Sequence, residues 1–334
     1  MNFLLGLPPG TVPFLPFLMT LLGLHILLRH GLAWRIALDL PNDRSLHTSP
    51  TPRMGGVVMV PSVLVAWLLL PEFDPWLAAL AAGLCMLSLI DDRFRAALAI
   101  RLAGHLTAAV LFVVFGLHVR DPLWVFPFVL GIAWFANLYN FMDGADGLAG
   151  GMAVFGFSVY GAAAWSGGDG TLALTCFCVS AAAAGFLCFN FPPARVFMGD
   201  AGSVPLGFMA GAIGLLGWVR ELWQLWFPIL VFAPFVADAS LRLARRIFRG
   251  ENVWLAHREH YYQRLVRMGW GHRRAALSEY ALMSVCAVLA LILLRAPEYV
   301  RIAGLFAATV VLLGLAAMLD RRWRRFAQAV ERGR

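Results

Sequence analysis

The segment from Thr171 to Phe191, "TLALTCFCVSAAAAGFLCFNF", has no charged residue anywhere along it. Wound as a helix it is about 30 Å long, the thickness of a bilayer's hydrocarbon core. Similar apolar runs recur along the chain, near 11–28, 55–70, 76–90, 103–119, 122–139, 149–166, 171–191, 203–219, 222–241, 278–295 and 299–319. The composition agrees. Of 334 residues 60% are hydrophobic and 14% charged, against about 25% charged in soluble domains. A soluble helical protein would not repeat such runs eleven times. The expected fold class is therefore all-α, a polytopic integral membrane protein with about 11 transmembrane helices.

Every one of the 27 basic residues is Arg, and their positions set the expected orientation. The first Arg is Arg29, so the N-terminus lacks the basic region of a cleaved signal peptide and its first span is expected to start outside. Eleven spans then put the C-terminus in the cytoplasm. In that arrangement the inner segments hold 23 Arg, and only Arg120, Arg220, Arg295 and Arg301 remain outside. The asymmetry follows the positive-inside rule. Residues 1–334 read as one transmembrane domain, with a large cytoplasmic loop at 242–277 and a basic cytoplasmic tail at 320–334. Cys85, Cys176, Cys178, Cys188 and Cys286 fall in apolar runs without metal-site spacing and read as buried small hydrophobes.

The same orientation gathers the unusual polar residues at the inner face. "SLIDDRFR" carries Asp91 and Asp92 where the third span ends. Two adjacent carboxylates there suit a cation ligand beside a general base, or else a solvated turn paired with arginines. "NLYNFMDGADGLAGG" (137–151) sets Asn137, Asn140, Asp143 and Asp146 three residues apart, with glycines that allow close backbone approach. "ARVFMGDAGSVPLGF" places Asp200 at a helix start, which capping alone explains but which also suits a hard oxygen ligand for Mg²⁺. "NVWLAHREHYYQRL" holds His257, Arg258 and His260 in the largest inner loop, a candidate diphosphate cap. "LPNDRSLHTSPTPRMGGV" offers Arg44, His47 and Arg53 as anion contacts, or as a basic loop against anionic lipid. Asp238 lies near the inner edge of the membrane, as a functional acid or as an ion-pair partner of Arg242. His25, His105 and His118 read as structural.

These stretches, taken in order, resemble the polyprenyl-phosphate N-acetylhexosamine-1-phosphate transferases, over essentially the whole chain. The loop from Ala237 to Leu265 looks most like the bacterial branch that starts O-antigen or capsule repeats. The resemblance implies transfer of a sugar 1-phosphate from a UDP-sugar to undecaprenyl phosphate, with release of UMP. It implies a need for Mg²⁺, with Mn²⁺ as a substitute, and a bacterial inner-membrane enzyme acting at the cytoplasmic face. Substrates and membrane lipids are the expected partners, without nucleic acid, and a homodimer is left open. Carried over by position, Asp200 is the first Mg²⁺ ligand, with Asn140 or the Asp91–Asp92 pair as helper. Asp91 and Asp92 orient or deprotonate the acceptor phosphate, while Asn140, Asp143 and Asp146 line the nucleotide pocket. Arg44, Arg53, His257, Arg258 and His260 hold phosphate or sugar.

Other membrane proteins fit less well. A CDP-alcohol phosphotransferase needs an Arg after its DG motif, and Asp143-Gly144 is followed by Ala145-Asp146-Gly147. Aspartate-rich prenyltransferases need two spaced boxes that Asp91-Asp92 does not form. A proton- or metal-coupled transporter needs polar groups through the outer half of the spans.

Overall fold

The computed structural model describes residues 8–39, 49–94, 98–250 and 260–332. They form fourteen α-helices: α1 (Phe14–Arg29), α2 (Ala33–Ile36), α3 (Gly55–Trp67), α4 (Pro75–Phe94), α5 (Leu98–Leu111), α6 (Pro122–Met142), α7 (Leu148–Ser166), α8 (Gly170–Asn190), α9 (Asp200–Val219), α10 (Trp226–Val231), α11 (Ala233–Phe248), α12 (Tyr261–Leu265), α13 (Gly271–Leu294) and α14 (Glu298–Arg332). Eight helical segments are long and apolar enough to cross a membrane, and α1 and α3 are shorter apolar helices. The chain is an all-α polytopic membrane protein. The only strands among the described residues are β1 (Leu38–Asp39) and β2 (Thr51–Pro52), an antiparallel pair of two residues each.

Ten of the expected spans coincide with helices. The remaining one, 222–241, is broken at Phe232 into α10 and α11. Pro234 has no N–H to donate to the carbonyl of Leu230, four residues back, so the helix must bend there. Beyond the bend α11 runs on to Phe248, and α12 and the start of α13 make the described part of 242–277 largely helical. The basic tail is helical too: α14, with 35 residues, is about 52 Å long and outreaches the hydrocarbon core.

α9 is the axis of the bundle. It is almost wholly enclosed, packed against α4 and α6 along its length and against α3 at its start, while α7 and α8 pair beside it and α1 covers α8. α14 lies outermost and leaves Phe306, Val310 and Val311 exposed, as lipid-facing side chains should be.

At one end the chain crosses over α9 through backbone pairing. Phe197 N–H donates to Pro52 O, Gly55 N–H to Phe197 O and Gly56 N–H to Met198 O, at 2.8–2.9 Å. Gly199 sits at φ 73°, a left-handed conformation that glycine adopts without strain. A Cβ on Gly56 would stand 2.1 Å from the Gly202 nitrogen. No rotamer relieves a clash with backbone, so the approach of α3 to α9 needs glycine here.

Gly56→Val should therefore cost about 2 kcal/mol or more, the scale of forced overpacking. Size-exclusion profiles and thermal unfolding in detergent read this. Gly83→Ala, where an added Cβ meets nothing within 4 Å, should behave as wild type.

Candidate active site

The pairing of 52–56 with 197–198 carries Arg53 to the N-terminus of α9. There its Nη2 lies 3.0 Å from Asp200 Oδ1, and its Nη1 3.9 Å from Asp92 Oδ1. From α5, Arg101 Nη1 reaches Asp91 Oδ2 at 3.3 Å and Asp200 Oδ2 at 3.6 Å. Three carboxylates thus meet two guanidinium groups within one cluster. Asp91 is buried, and a buried carboxylate is tolerable only with such partners. Burial works against the charge of Arg53, yet Asp200, Asp92, Asp39 and Asp143 together hold its pKa above the ordinary arginine value.

Beside this cluster a small cleft of about 70 Å³ is lined by Asp91, Arg101, His105, Asn137, Asn140 and Asp200 among others. Asn137 and Asn140 share one face of α6, as their spacing predicts, and Asn137 Nδ2 donates to Ala133 O. Asp143 caps the end of α6. Burial holds its carboxyl well above the usual carboxylate range, Arg53 opposes this only in part, and Asp200 adds to it.

Asp146 faces the other way. Its Oδ2 accepts from Ala194 N–H at 3.0 Å and its Oδ1 lies 3.5 Å from His272 Nδ1. The turn it belongs to is fastened on both sides: Gly147 N–H donates to Asn190 Oδ1, and Tyr280 Oη–H donates to Gly147 O. Asn190 also donates from Nδ2 to Val196 O, tying this turn to the strand-like segment before Asp200.

His260 is 4% exposed. Its Nδ1 lies 3.1 Å from Asp238 Oδ1, and Asp238 Oδ2 accepts the Tyr261 N–H at 2.9 Å. The imidazole stacks on Phe141 and Tyr262, and Tyr262 Oη–H donates to Phe141 O. Asp238 thus joins α11 to α12, and Tyr262 joins α12 to the end of α6. Deeper in the same C-terminal unit, Asp320 on α14 receives Arg264, Arg245 and the Tyr261 hydroxyl. Arg44, His257 and Arg258 lie outside the described residues.

The structure accordingly joins Arg53, Asp91, Asp92, Asn140, Asp143 and Asp200 at one end of the bundle, and sets Asp146 and His260 into supporting contacts around them. Arg101 and His105 are additions. They sit four residues apart on α5 where the expected span began later, at 103, so Arg101 read as part of a loop. The signal that would have found them is the i, i+4 pairing of two polar groups at the start of an apolar run.

Comparison with known proteins identifies the family. A family model described as Glycosyl transferase family 4 matches residues 75–217, which include both aspartate motifs and Asp200. The decaprenyl-phosphate N-acetylglucosaminephosphotransferase of Mycolicibacterium smegmatis is 30% identical over 75% of this chain and 74% of its own length. The undecaprenyl-phosphate alpha-N-acetylglucosaminyl 1-phosphate transferase of Yersinia pestis is 29% identical over 86% and 85%. A Bacillus subtilis protein, "Probable undecaprenyl-phosphate N-acetylglucosaminyl 1-phosphate transferase", is 26% identical over 89% of both chains. With its acidic cluster at one end of a membrane bundle, this chain belongs to the polyprenyl-phosphate N-acetylhexosamine-1-phosphate transferase family.

Proposed function

We propose that the protein transfers an N-acetylhexosamine or deoxy-N-acetylhexosamine 1-phosphate from a UDP-sugar to undecaprenyl phosphate, releasing UMP. The observation that carries this is the convergence of Asp91, Asp92 and Asp200 with Arg53 and Arg101 at one end of the bundle. In the overall reaction a bond forms between an oxygen of the acceptor phosphate and the sugar-bearing phosphorus. The bond from that phosphorus to the bridging oxygen breaks, and UMP leaves with its electron pair. Both reactants are anions, so the site has to suppress their repulsion.

Arg53 and Arg101 supply cationic groups at the place where the phosphates meet. Asp91 and Asp92 orient the acceptor and take its proton, and Asp143 lines the nucleotide side. Mg²⁺ fits the donor set. Among the described residues no three His, Cys, Asp or Glu side chains close around one point. Asp200 with Asn140 offers one or two oxygens, the number Mg²⁺ takes when phosphate and water complete its shell. Bound there, the ion would neutralise phosphate charge.

The relatives named for N-acetylglucosamine make UDP-N-acetylglucosamine the first donor to test. The residues from Ala237 to Leu265 favour the branch that starts O-antigen or capsule repeats. The weighting of arginines supports a cytoplasmic site in a bacterial inner membrane, with the N-terminus outside and the C-terminus inside.

Purified protein given undecaprenyl phosphate and a panel of UDP-N-acetylsugars should release UMP and form a lipid-linked product, and chelation should stop both. Absence of product from every donor would overturn the reading. Asp200→Asn should lower turnover about a thousandfold, the scale on which preorganised electrostatic groups act, without loss of folded protein. An epitope inserted after Gly250 should be protected from outside in intact cells; external access would reverse the orientation.

A further inference from the structure

We propose that the end of α14 beyond Met318, together with the start of α13, is a docking surface for the headgroups of anionic phospholipids. α14 runs for 35 residues, and a helix that begins at Glu298 crosses the hydrocarbon core in about 20 of them. Arg321, Arg322, Arg324 and Arg325 follow within about 10 Å of that point, at the depth of lipid phosphates. All four are exposed. So are Arg267, just before α13, and Arg273 and Arg274 in its first turn, and α13 packs against α14.

The direction of these side chains selects the partner. Phe306, Val310, Gly314 and Met318 mark an exposed stripe along α14. Arg321 and Arg325 continue that stripe at helical spacing, so one face passes from hydrocarbon-facing side chains straight to guanidinium groups. The other face anchors the helix. There Asp320 receives Arg264 and Arg245, and the guanidinium carbons of Arg264 and Arg267 lie 5.4 Å and 5.1 Å from the centre of the Trp323 ring. Asp320 is thus engaged inward. Among the described residues none of the four outward arginines pairs with a carboxylate.

A membrane surface suits this arrangement better than other partners. A phosphodiester headgroup presents unprotonated oxygens that a guanidinium takes two at a time, and every basic residue close to an anionic bilayer adds to the attraction. A second copy of this chain, docked by a two-fold axis along the same stripe, would set Arg321 and Arg325 against their own images. A soluble acidic partner would have to reach side chains that leave the bundle on its lipid-facing side. Through Asp320 the surface is tied to α11 and α12, so headgroups that fix the end of α14 also stabilise the unit carrying His260 and Tyr262.

Thermal unfolding in a neutral detergent reads this. Phosphatidylglycerol should raise the melting temperature of the wild-type protein more than phosphatidylcholine with the same acyl chains, and added salt should shrink the difference. Soluble glycerol phosphate at the same concentration should not reproduce it. In a titration followed by native mass spectrometry, Arg325→Gln should weaken phosphatidylglycerol binding about fivefold, the value of one basic residue at an anionic surface. Changing Arg321, Arg322, Arg324 and Arg325 together to Gln should abolish the preference, and Arg295→Gln, at the other end of α13, should leave it intact. Equal effects of the two lipids on wild type, or a full effect of glycerol phosphate, would overturn the surface whether or not the fourfold variant folds. So would a preference that survives in the folded fourfold variant. None of these outcomes depends on the transfer reaction.

Discussion

The contact between Arg53 and Asp200 is the constraint on which the active end of this protein depends. Ionised carboxylates at the edge of a low-dielectric bundle are stable only beside cations. Asp91, Asp92 and Asp200 come from the end of α4 and the start of α9, and their cationic partners among the described side chains lie on other segments. The cations arrive from outside: Arg53 by the backbone pairing of 52–56 with 197–198, and Arg101 from the first turns of α5. Two glycines, Gly56 and Gly202, make that pairing possible by letting α3 and α9 approach backbone to backbone. A packing requirement in the apolar part of the chain thereby fixes the electrostatics of the polar part.

A second set of polar contacts holds the turn that follows α6. The turn after α6 would be free to move if it were only a glycine-rich connection. Instead Asn190, Tyr280 and Ala194 engage Gly147 and Asp146, and Tyr262 reaches Phe141. These partners belong to α8, to α13 and to the residues after α8 and around α12. The C-terminal unit is in turn fastened by two carboxylates, Asp238 to His260 and Asp320 to Arg264 and Arg245. Side chains far apart in the chain thus set the position of the turn that begins at Asp143.

Much of this was legible in the amino-acid order. Apolar length predicts helices because backbone polar groups in a membrane must be satisfied within the segment, and ten spans follow that rule directly. The break at Phe232 was also written there, in Pro234, but a hydropathy run does not reveal which way a bent helix continues. Asp91, Asp92, Asn140 and Asp200 were recognisable because polar oxygen at a helix end in an oily chain needs a reason. Arg101 and His105 were not, since each alone reads as a juxtamembrane charge or a satisfied core histidine. Their significance lies in what surrounds them, namely a cleft bounded by α4, α5, α6 and α9.

Asp146 and His260 mark the same boundary from the other side. By residue type and spacing each looks like a ligand, and each is held by a partner remote in sequence, His272 and Asp238 respectively. Taken by itself, the sequence determined the all-helical membrane architecture and the gathering of acidic motifs at helix ends, because hydrophobic length and local charge act within a segment. Only the tertiary structure decided which arginine neutralises which aspartate, which of the polar residues face the cleft and which brace it. Those outcomes depend on packing between helices that are distant in the chain, and no local pattern encodes a distance across the bundle.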